Sequence, residues 1–333
     1  MNAAAIALVA ALAVPVAPAV VQQSQPRQPT ATIPAYVERV IPAVVGIDTK
    51  IPLDRPSVLT LGPARSGSGV IFDAAGYVVT VGYILTDATL IQVRLRDGRV
   101  VPARVVGQDY ESGIGVIKLE GAGPWPNVPL GNSAAVGTGD PAAIVGVTGE
   151  NEVATTQVSI QDIRRFTGYW EYLLERAFIV APPNPSFGGS PLVNTQGEVI
   201  GVTSLRLGDP PNVNLAIPIE YFLAAKDELF KEGRVTSRPP RPWLGLYTVE
   251  TPQGLVIAGA AAAGPAIDAG FERGDVIVRL NGEKVESQED FYRKLWKTRI
   301  GDEVNIVVLR ETKFQVVAVR TVDRHSIIRT PGN

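Results

Sequence analysis

The stretch Asn184–Val202, NPSFGGSPLVNTQGEVIGV, is the part of this chain on which the reading of its fold turns. It has the form of a loop that displays a serine nucleophile. An Asn-Pro pair leads into a tight glycine-containing turn, then come an apolar run from Pro191 and a return run after Gly197. The residue at the centre of the turn is Gly188, which has no side chain to offer. What the loop can do therefore depends on the sequence around it.

From Ile41 to Ile217 the apolar residues come in short runs, among them AVVGIDTK, GSGVIFD, GYVVTVGYIL, GVIKLE, AAIVGV, EVATTQVSI and VNLAIPI, separated by Gly, Pro, Asp or Asn. Many short β-rich runs with turn residues between them predict an all-β barrel or sandwich. Ile91, Val93 and Leu95 alternate with Gln92, Arg94 and Arg96, and the pattern resumes at Val100-Val101 after Asp97-Gly98. That alternation predicts a hairpin with one buried face. Ile219 to Lys231 sets Tyr221, Phe222, Ala225 and Leu229 at helical spacing and predicts a helix ending at Gly233.

EGRVTSRPPRP reads as a linker, because its prolines and charges cannot build a core, and a second domain begins near Pro242. There GLVIAGA and GDVIVRLNG predict strands, with a tight turn at Asn281-Gly282, and EVNIVVLRETKFQVVAVRTV predicts a strand pair. Ser287 with Asp290 predicts a capping box, opening a helix whose buried face includes Phe291 and Leu295.

The chain has 333 residues, 45% of them apolar, and sets 31 basic against 33 acidic residues. It can bury at least one full core, its length favours two domains, and its balanced charge points away from nucleic acid. Without cysteine there is no disulfide, thiol nucleophile or Cys-ligated metal. The single histidine, His325, reads as an exposed residue of the C-terminal tail. GTGD and GVTGE, between Gly137 and Glu150, lack the Lys-Ser/Thr that follows a phosphate loop and read as hairpin turns. Asp109 and Glu111 read as solvated turn residues, and neither a metal nor any other cofactor is expected. The N-terminal run is apolar from Ala3 to Val21, and Ala17-Pro18-Ala19 fits a signal-peptide cleavage site, with an uncleaved membrane anchor as the rival.

In order along the chain, YVERVIPAVVGIDT, GSGVIFDAAGYVVT, LRDGRVVPARVVGQDYESGIGVIKLE, APPNPSFGGSPLVNTQGEVIGV, RPWLGL, GPAIDAGFERGDVIVRLNGEKV and FYRKLW resemble the HtrA/Deg family. These are exported trypsin-like serine proteases with a C-terminal PDZ domain. The resemblance covers about Tyr36 to Val322 and implies a mainly β fold: a trypsin-like double β-barrel followed by a PDZ domain, a small β-barrel with helices. The limits it implies are 1–30 for a signal peptide or membrane-anchor segment with a polar linker, 34–232 for the protease-like domain, 233–241 for a linker, 242–324 for the PDZ domain and 325–333 for a tail. The place of the family's histidine is held by Tyr83, that of its aspartate by Gly113 and that of its serine by Gly188. The intervals, 113 − 83 = 30 and 188 − 113 = 75 residues, fit the family's arrangement.

Acyl transfer by a hydroxyl needs a base that takes its proton near neutral pH. A phenol with a pKa of about 10 is a poor one, and glycine supplies neither nucleophile nor carboxylate. The expectation is a catalytically inactive pseudoprotease, not an enzyme. It would act as an exported or membrane-associated binding, scaffold or assembly subunit. The alternative is an HtrA-type serine endopeptidase whose nucleophile has moved to Ser186 or Ser190. Tyr83 and Phe187 are expected to fill the vacated cleft. Trp243-Leu244-Gly245-Leu246 resembles the PDZ carboxylate-binding loop, with a groove helix from about Gln288 to Lys297, which implies protein or peptide C-termini as partners. The resemblance also implies a homotrimer through the protease domains, a larger membrane or envelope complex, and a location in the bacterial periplasm or cell envelope.

Overall fold

The structure is a computed structural model and describes residues Ile33–Ile327. The expected signal peptide or anchor lies outside the described residues. Among the described residues, no helix is long and apolar enough to cross a membrane.

The first twelve strands close two antiparallel barrels. Strands β1 (Val44–Lys50), β2 (Ala64–Ile71), β3 (Tyr77–Val81), β4 (Leu90–Arg94), β5 (Val100–Asp109) and β6 (Ile114–Leu119) close in the order β1-β2-β3-β6-β5-β4. Strands β7 (Pro141–Val147), β8 (Val153–Gly168), β9 (Tyr172–Ala181), β10 (Pro191–Asn194), β11 (Val199–Leu207) and β12 (Val213–Pro218) close in the order β10-β11-β12-β9-β8-β7. Closure leaves no unpaired edge, so many short strands can form a stable unit. One apolar cluster runs through both barrels, from Ile47 and Ile117 to Val145 and Ile179, and a second, with Phe178, Leu192 and Ile200, fills the other side of the second barrel.

The expected hairpin is β4–β5, in register Arg94↔Val100, with the Asp97 carboxylate accepting from the Arg99 N–H across the turn. The expected helix spans Glu220–Glu232 and ends where Gly233 turns left-handed at φ 70°. It buries Phe222, Ala225 and Leu229, whereas Tyr221 is half-buried and its hydroxyl accepts from the Arg176 N–H. Of the two glycine-containing segments, the one after β7 turns the β7–β8 hairpin as expected, whereas Gly137–Asp140 leads from a short 3-10 helix into β7 and is not a hairpin turn.

The linker is tied down. Glu228 accepts from the Thr236 and Ser237 N–H groups, while Arg238 bonds Asp109 at 2.9 Å and Glu111 at 3.0 Å. Arg241 also pairs with Glu111, at 3.1 Å, and lies over the Trp296 ring. Asp109, only 5% exposed, and half-buried Glu111 are thus not solvated turn residues; they anchor the linker to the first barrel.

The last domain contains β13 (Pro242–Trp243), β14 (Leu246–Thr251), β15 (Gly254–Ala260), β16 (Val276–Leu280), β17 (Glu283–Lys284), β18 (Glu303–Arg310), β19 (Lys313–Arg320) and β20 (Val322–Asp323). Its main sheet follows one open path, β14-β15-β16-β18-β19, with β17 against β16, so β14 keeps one free edge. Asn281 at φ 48° and Gly282 at φ 84° make the tight turn between β16 and β17. The groove helix spans Gln288–Leu295, shorter than expected, and the Ser287 side chain caps it by accepting from the Asp290 N–H. Phe291 and Leu295 are buried in the domain's core beside Ile277 and Ile306.

Candidate functional site

The Asn184–Ser190 loop is held from below by its first residue. The Asn184 Oδ1 accepts from the Ser186 N–H at 2.8 Å, its Nδ2 donates to the Ala154 carbonyl at 2.9 Å, and its own N–H donates to the Asn214 Oδ1 at 2.7 Å. Gly189 sits at φ 80°, and a Cβ there would fall on the Ser68 carbonyl and the Thr80 hydroxyl, so this turn tolerates only glycine. The Ser68 N–H donates to the Gly188 carbonyl at 2.7 Å, which stitches the loop of the second barrel to β2 of the first.

Tyr83, Gly113 and Gly188 converge. Tyr83 follows β3 in a short helical turn, Gly82–Leu85, and its hydroxyl donates to the Ser204 carbonyl at 3.0 Å. That hydroxyl is 2.9 Å from where a Cβ on Gly188 would stand. The Gly82 N–H donates to the Gly113 carbonyl at 2.7 Å. A Cβ on Gly113, whose φ is 80°, would lie 3.2 Å from the Tyr172 hydroxyl. Burial pushes the Tyr83 phenol well above the ordinary tyrosine range, so it cannot take a proton near neutral pH. Tyr83 and Phe187 occupy only part of the space: a cleft of about 460 Å³ remains, lined by both and by Leu61, Trp170, Tyr247 and Ala262.

The two serines of the loop differ. Ser190 is fully buried, and its hydroxyl donates to the Ser186 carbonyl beside Gly146. Ser186 is half-buried. Neither lines the cleft. His325 is not an exposed tail residue. Strand β20 pairs with β13, Trp243 opposite Val322, and this pairing carries the chain end back toward the barrels. His325 packs on Tyr110 with ring centroids 4.8 Å apart, burial lowers its pKa, and it lines a separate cavity of about 150 Å³ with Asp109 and Arg234. Its neighbours Arg324 and Ile327 reach the main cleft. Among the described residues, no cluster of three or more His, Asp and Glu side chains is placed to hold a metal.

In the predicted carboxylate loop, Trp243, Leu244 and Leu246 are buried and Gly245 turns at φ 83°. The N–H groups of Leu244 and Leu246 donate to the Glu171 carboxylate, at 3.1 and 2.8 Å. On the groove helix, Phe291 and Leu295 point into the core while the Tyr292 hydroxyl bonds the Gly168 carbonyl at 2.8 Å. Glu171 and Tyr292 carry no local sequence signal for this role, since their partners are remote in sequence.

Two family models match the chain, a trypsin-like peptidase domain over residues 67–202 and a PDZ domain over residues 242–321. A Halomonas elongata protein named "Probable periplasmic serine endoprotease DegP-like" is 31% identical over 272 residues, 77% of this chain and 56% of that protein. "Serine endoprotease DegS" of Escherichia coli K12 is 28% identical over 299 residues, 83% of this chain and 82% of that protein. The solved structure titled "HtrA-type protease AlgW with decapeptide" matches with a TM-score of 0.51 at 26% identity, over 89% of this chain and 98% of that one. The chain spans about half the length of several of its curated relatives, as with the Halomonas protein. Relatives near 30% identity are named serine endoproteases and point to a protease, which overturns the expectation that the chain is not an enzyme. Double barrel, PDZ domain and relatives agree, and the chain belongs to the HtrA/DegS family.

Proposed function

We propose that this protein acts on polypeptides, taking an extended segment into the cleft beside Tyr83, Phe187 and Gly188 and a peptide or protein C-terminus at the PDZ groove. The observation that carries the reading is the cleft itself. It has about 460 Å³ of space with mainly apolar and aromatic walls, and runs from the barrel residues to Tyr247 and Ala261 of the PDZ domain. In this reading Tyr83, Gly113 and Gly188 hold the places of the family's histidine, aspartate and serine. Export to the periplasm or cell envelope follows the relatives' names.

The relatives favour a serine endopeptidase. In this chain that reading leaves Ser186 as the candidate nucleophile, because the Ser190 hydroxyl is sealed and already donates to a carbonyl, and it requires the half-buried Ser186 to turn into the cleft that its neighbour Phe187 lines. Incubation with casein and a fluorophosphonate probe tests both statements. Casein retention that falls in Leu61→Glu supports polypeptide capture in the cleft, and retention unchanged by that substitution rejects it. Leu61 is suited to the test because it lines the cleft yet is exposed. Casein cleavage with probe attached at Ser186 supports the endopeptidase reading, and cleavage that survives Ser186→Ala rejects Ser186 as the nucleophile. Trimerisation through the protease domains belongs to the same proposal, and a monomeric mass by light scattering excludes it.

A further inference from the structure

The groove of the PDZ domain is occupied by the protein's own second barrel. Strands β8 and β9 form a long hairpin whose tip, Tyr169-Trp170-Glu171, reaches the PDZ domain. There the Glu171 carboxylate, on a residue only 6% exposed, sits on the carboxylate loop. Its Oε1 accepts from the Leu246 N–H at 2.8 Å and its Oε2 from the Leu244 N–H at 3.1 Å. Just upstream, the Tyr169 carbonyl accepts from the Thr248 N–H at 2.9 Å, a main-chain bond on the free edge of β14. Across the groove the Tyr292 hydroxyl donates to the Gly168 carbonyl at 2.8 Å and accepts from the Glu171 N–H at 3.2 Å.

Backbone bonding to an open strand, a helix on the far side and a carboxylate received by loop N–H groups are the three contacts a C-terminal peptide makes in such a groove. Here one segment of the chain makes all three. Glu171 does so at φ 55°, a left-handed conformation uncommon for a residue other than glycine, so the hairpin spends backbone strain to present this side chain. The flanks are held by ion pairs at the surface: Arg165 with Glu289 at 2.8 Å, and Arg293 with Glu175 at 2.7 Å. Exposed pairs of this kind are weak and screened by salt, so the seal can open.

We infer that Gly168–Glu171 is an internal ligand of the PDZ domain, and that an incoming C-terminus binds only by displacing the Glu171 carboxylate from Leu244 and Leu246. The displacement rests on the proposed reading that this groove takes C-termini, whereas the occupancy by Glu171 does not.

The test uses the full chain and two readouts. The first is hydrogen exchange at the Leu244 and Leu246 amides without added peptide. The second is binding of a fluorescein-labelled decapeptide pool with apolar last residues and a free C-terminal carboxylate, set against the same pool amidated. Glu171→Gly removes the carboxylate and suits the left-handed turn, while Glu171→Gln keeps the shape and one acceptor oxygen. Loss of the two hydrogen bonds from Leu244 and Leu246 predicts about tenfold faster exchange at both amides, and about tenfold tighter binding of the free-carboxylate pool, in Glu171→Gly, with Glu171→Gln between it and wild type. Unchanged exchange in both variants overturns the internal ligand. Faster exchange with equal, measurable binding by wild type and variants overturns the displacement. Faster exchange with no binding by any form leaves the internal ligand standing and rejects the C-terminus reading.

Discussion

The Tyr83 phenol oxygen lies 2.9 Å from the point where a Cβ on Gly188 would stand, and its hydroxyl donates to the Ser204 carbonyl of β11. The two residues are fitted to each other. A side chain at 188 needs the space that Tyr83 holds, and Tyr83 keeps that space because glycine leaves it open.

Gly188→Ser alone is therefore expected to be overpacked and to lose about 1–3 kcal/mol of stability. Adding Tyr83→His vacates the space and supplies an imidazole beside the new hydroxyl. Scanning calorimetry reads the first effect. Fluorophosphonate labelling at residue 188 reads the second, expected in the double variant and absent in the single one.

The groove has a pH dependence of definite sign. Burial pushes the Glu171 carboxyl from 4.5 up to about 7, against the opposing pull of the Leu244, Gly245 and Leu246 N–H groups and the Arg324 guanidinium. Tyr292, facing it from the groove helix, stays a neutral phenol throughout, because burial raises its pKa. Between pH 4.5 and 7 the closed form holds a proton that a solvent-exposed Glu171 releases, so closing takes up a proton. Closure is favoured as pH falls and weakened as pH rises toward 7. Affinity for the free-carboxylate pool should increase across this window, by up to about tenfold per pH unit, and flatten in Glu171→Gln. Fluorescence anisotropy over that range measures it, with His325, whose pKa burial lowers, replaced by Gln as a control.

Arg238 joins the linker to the first barrel through Asp109 and Glu111. Arg238→Ala leaves the buried Asp109 carboxylate without that partner, while Glu111 keeps Arg241. Because the Arg238 side chain is 40% exposed, solvent screening discounts the pair, and a loss of about 1–2 kcal/mol is expected. The melting temperature reports it, and the difference between wild type and variant should shrink in high salt.

The two loop serines should separate in opposite ways. Ser190→Ala removes a buried hydroxyl that donates to the Ser186 carbonyl, at a cost of about 1 kcal/mol or more, and leaves probe labelling unchanged. Ser186→Ala, at a half-buried position, is expected to change stability little and to remove the labelling.

What was legible in the sequence was local. Ile91, Val93 and Leu95 alternate because a strand turns every second side chain to one face, and β4–β5 is the result. Gly233 ended its helix because only glycine enters the left-handed cap without strain, and Ser287 opened another by capping it. The convergence of Tyr83 and Gly188 was legible only through the resemblance to the HtrA/Deg family, whose motifs match GYVVTVGY and NPSFGGSPL; the strand pattern alone said no more than a barrel or sandwich.

The sequence by itself therefore determined most of the barrel strands and their turns, the two longer helices Glu220–Glu232 and Gln288–Leu295, and the side-chain types available at Tyr83, Gly113 and Gly188. Tertiary structure alone decided which distant groups satisfy one another. Asp109 and Glu111 were turn residues until Arg238 reached them from the linker, His325 was a tail residue until β20 paired with β13, and Leu244 and Leu246 offered open N–H groups until Glu171 filled them. Periodicity registers which face of an element is buried. A buried charge or donor must also be matched, and its match is set by how barrels and PDZ domain pack, which no local pattern encodes.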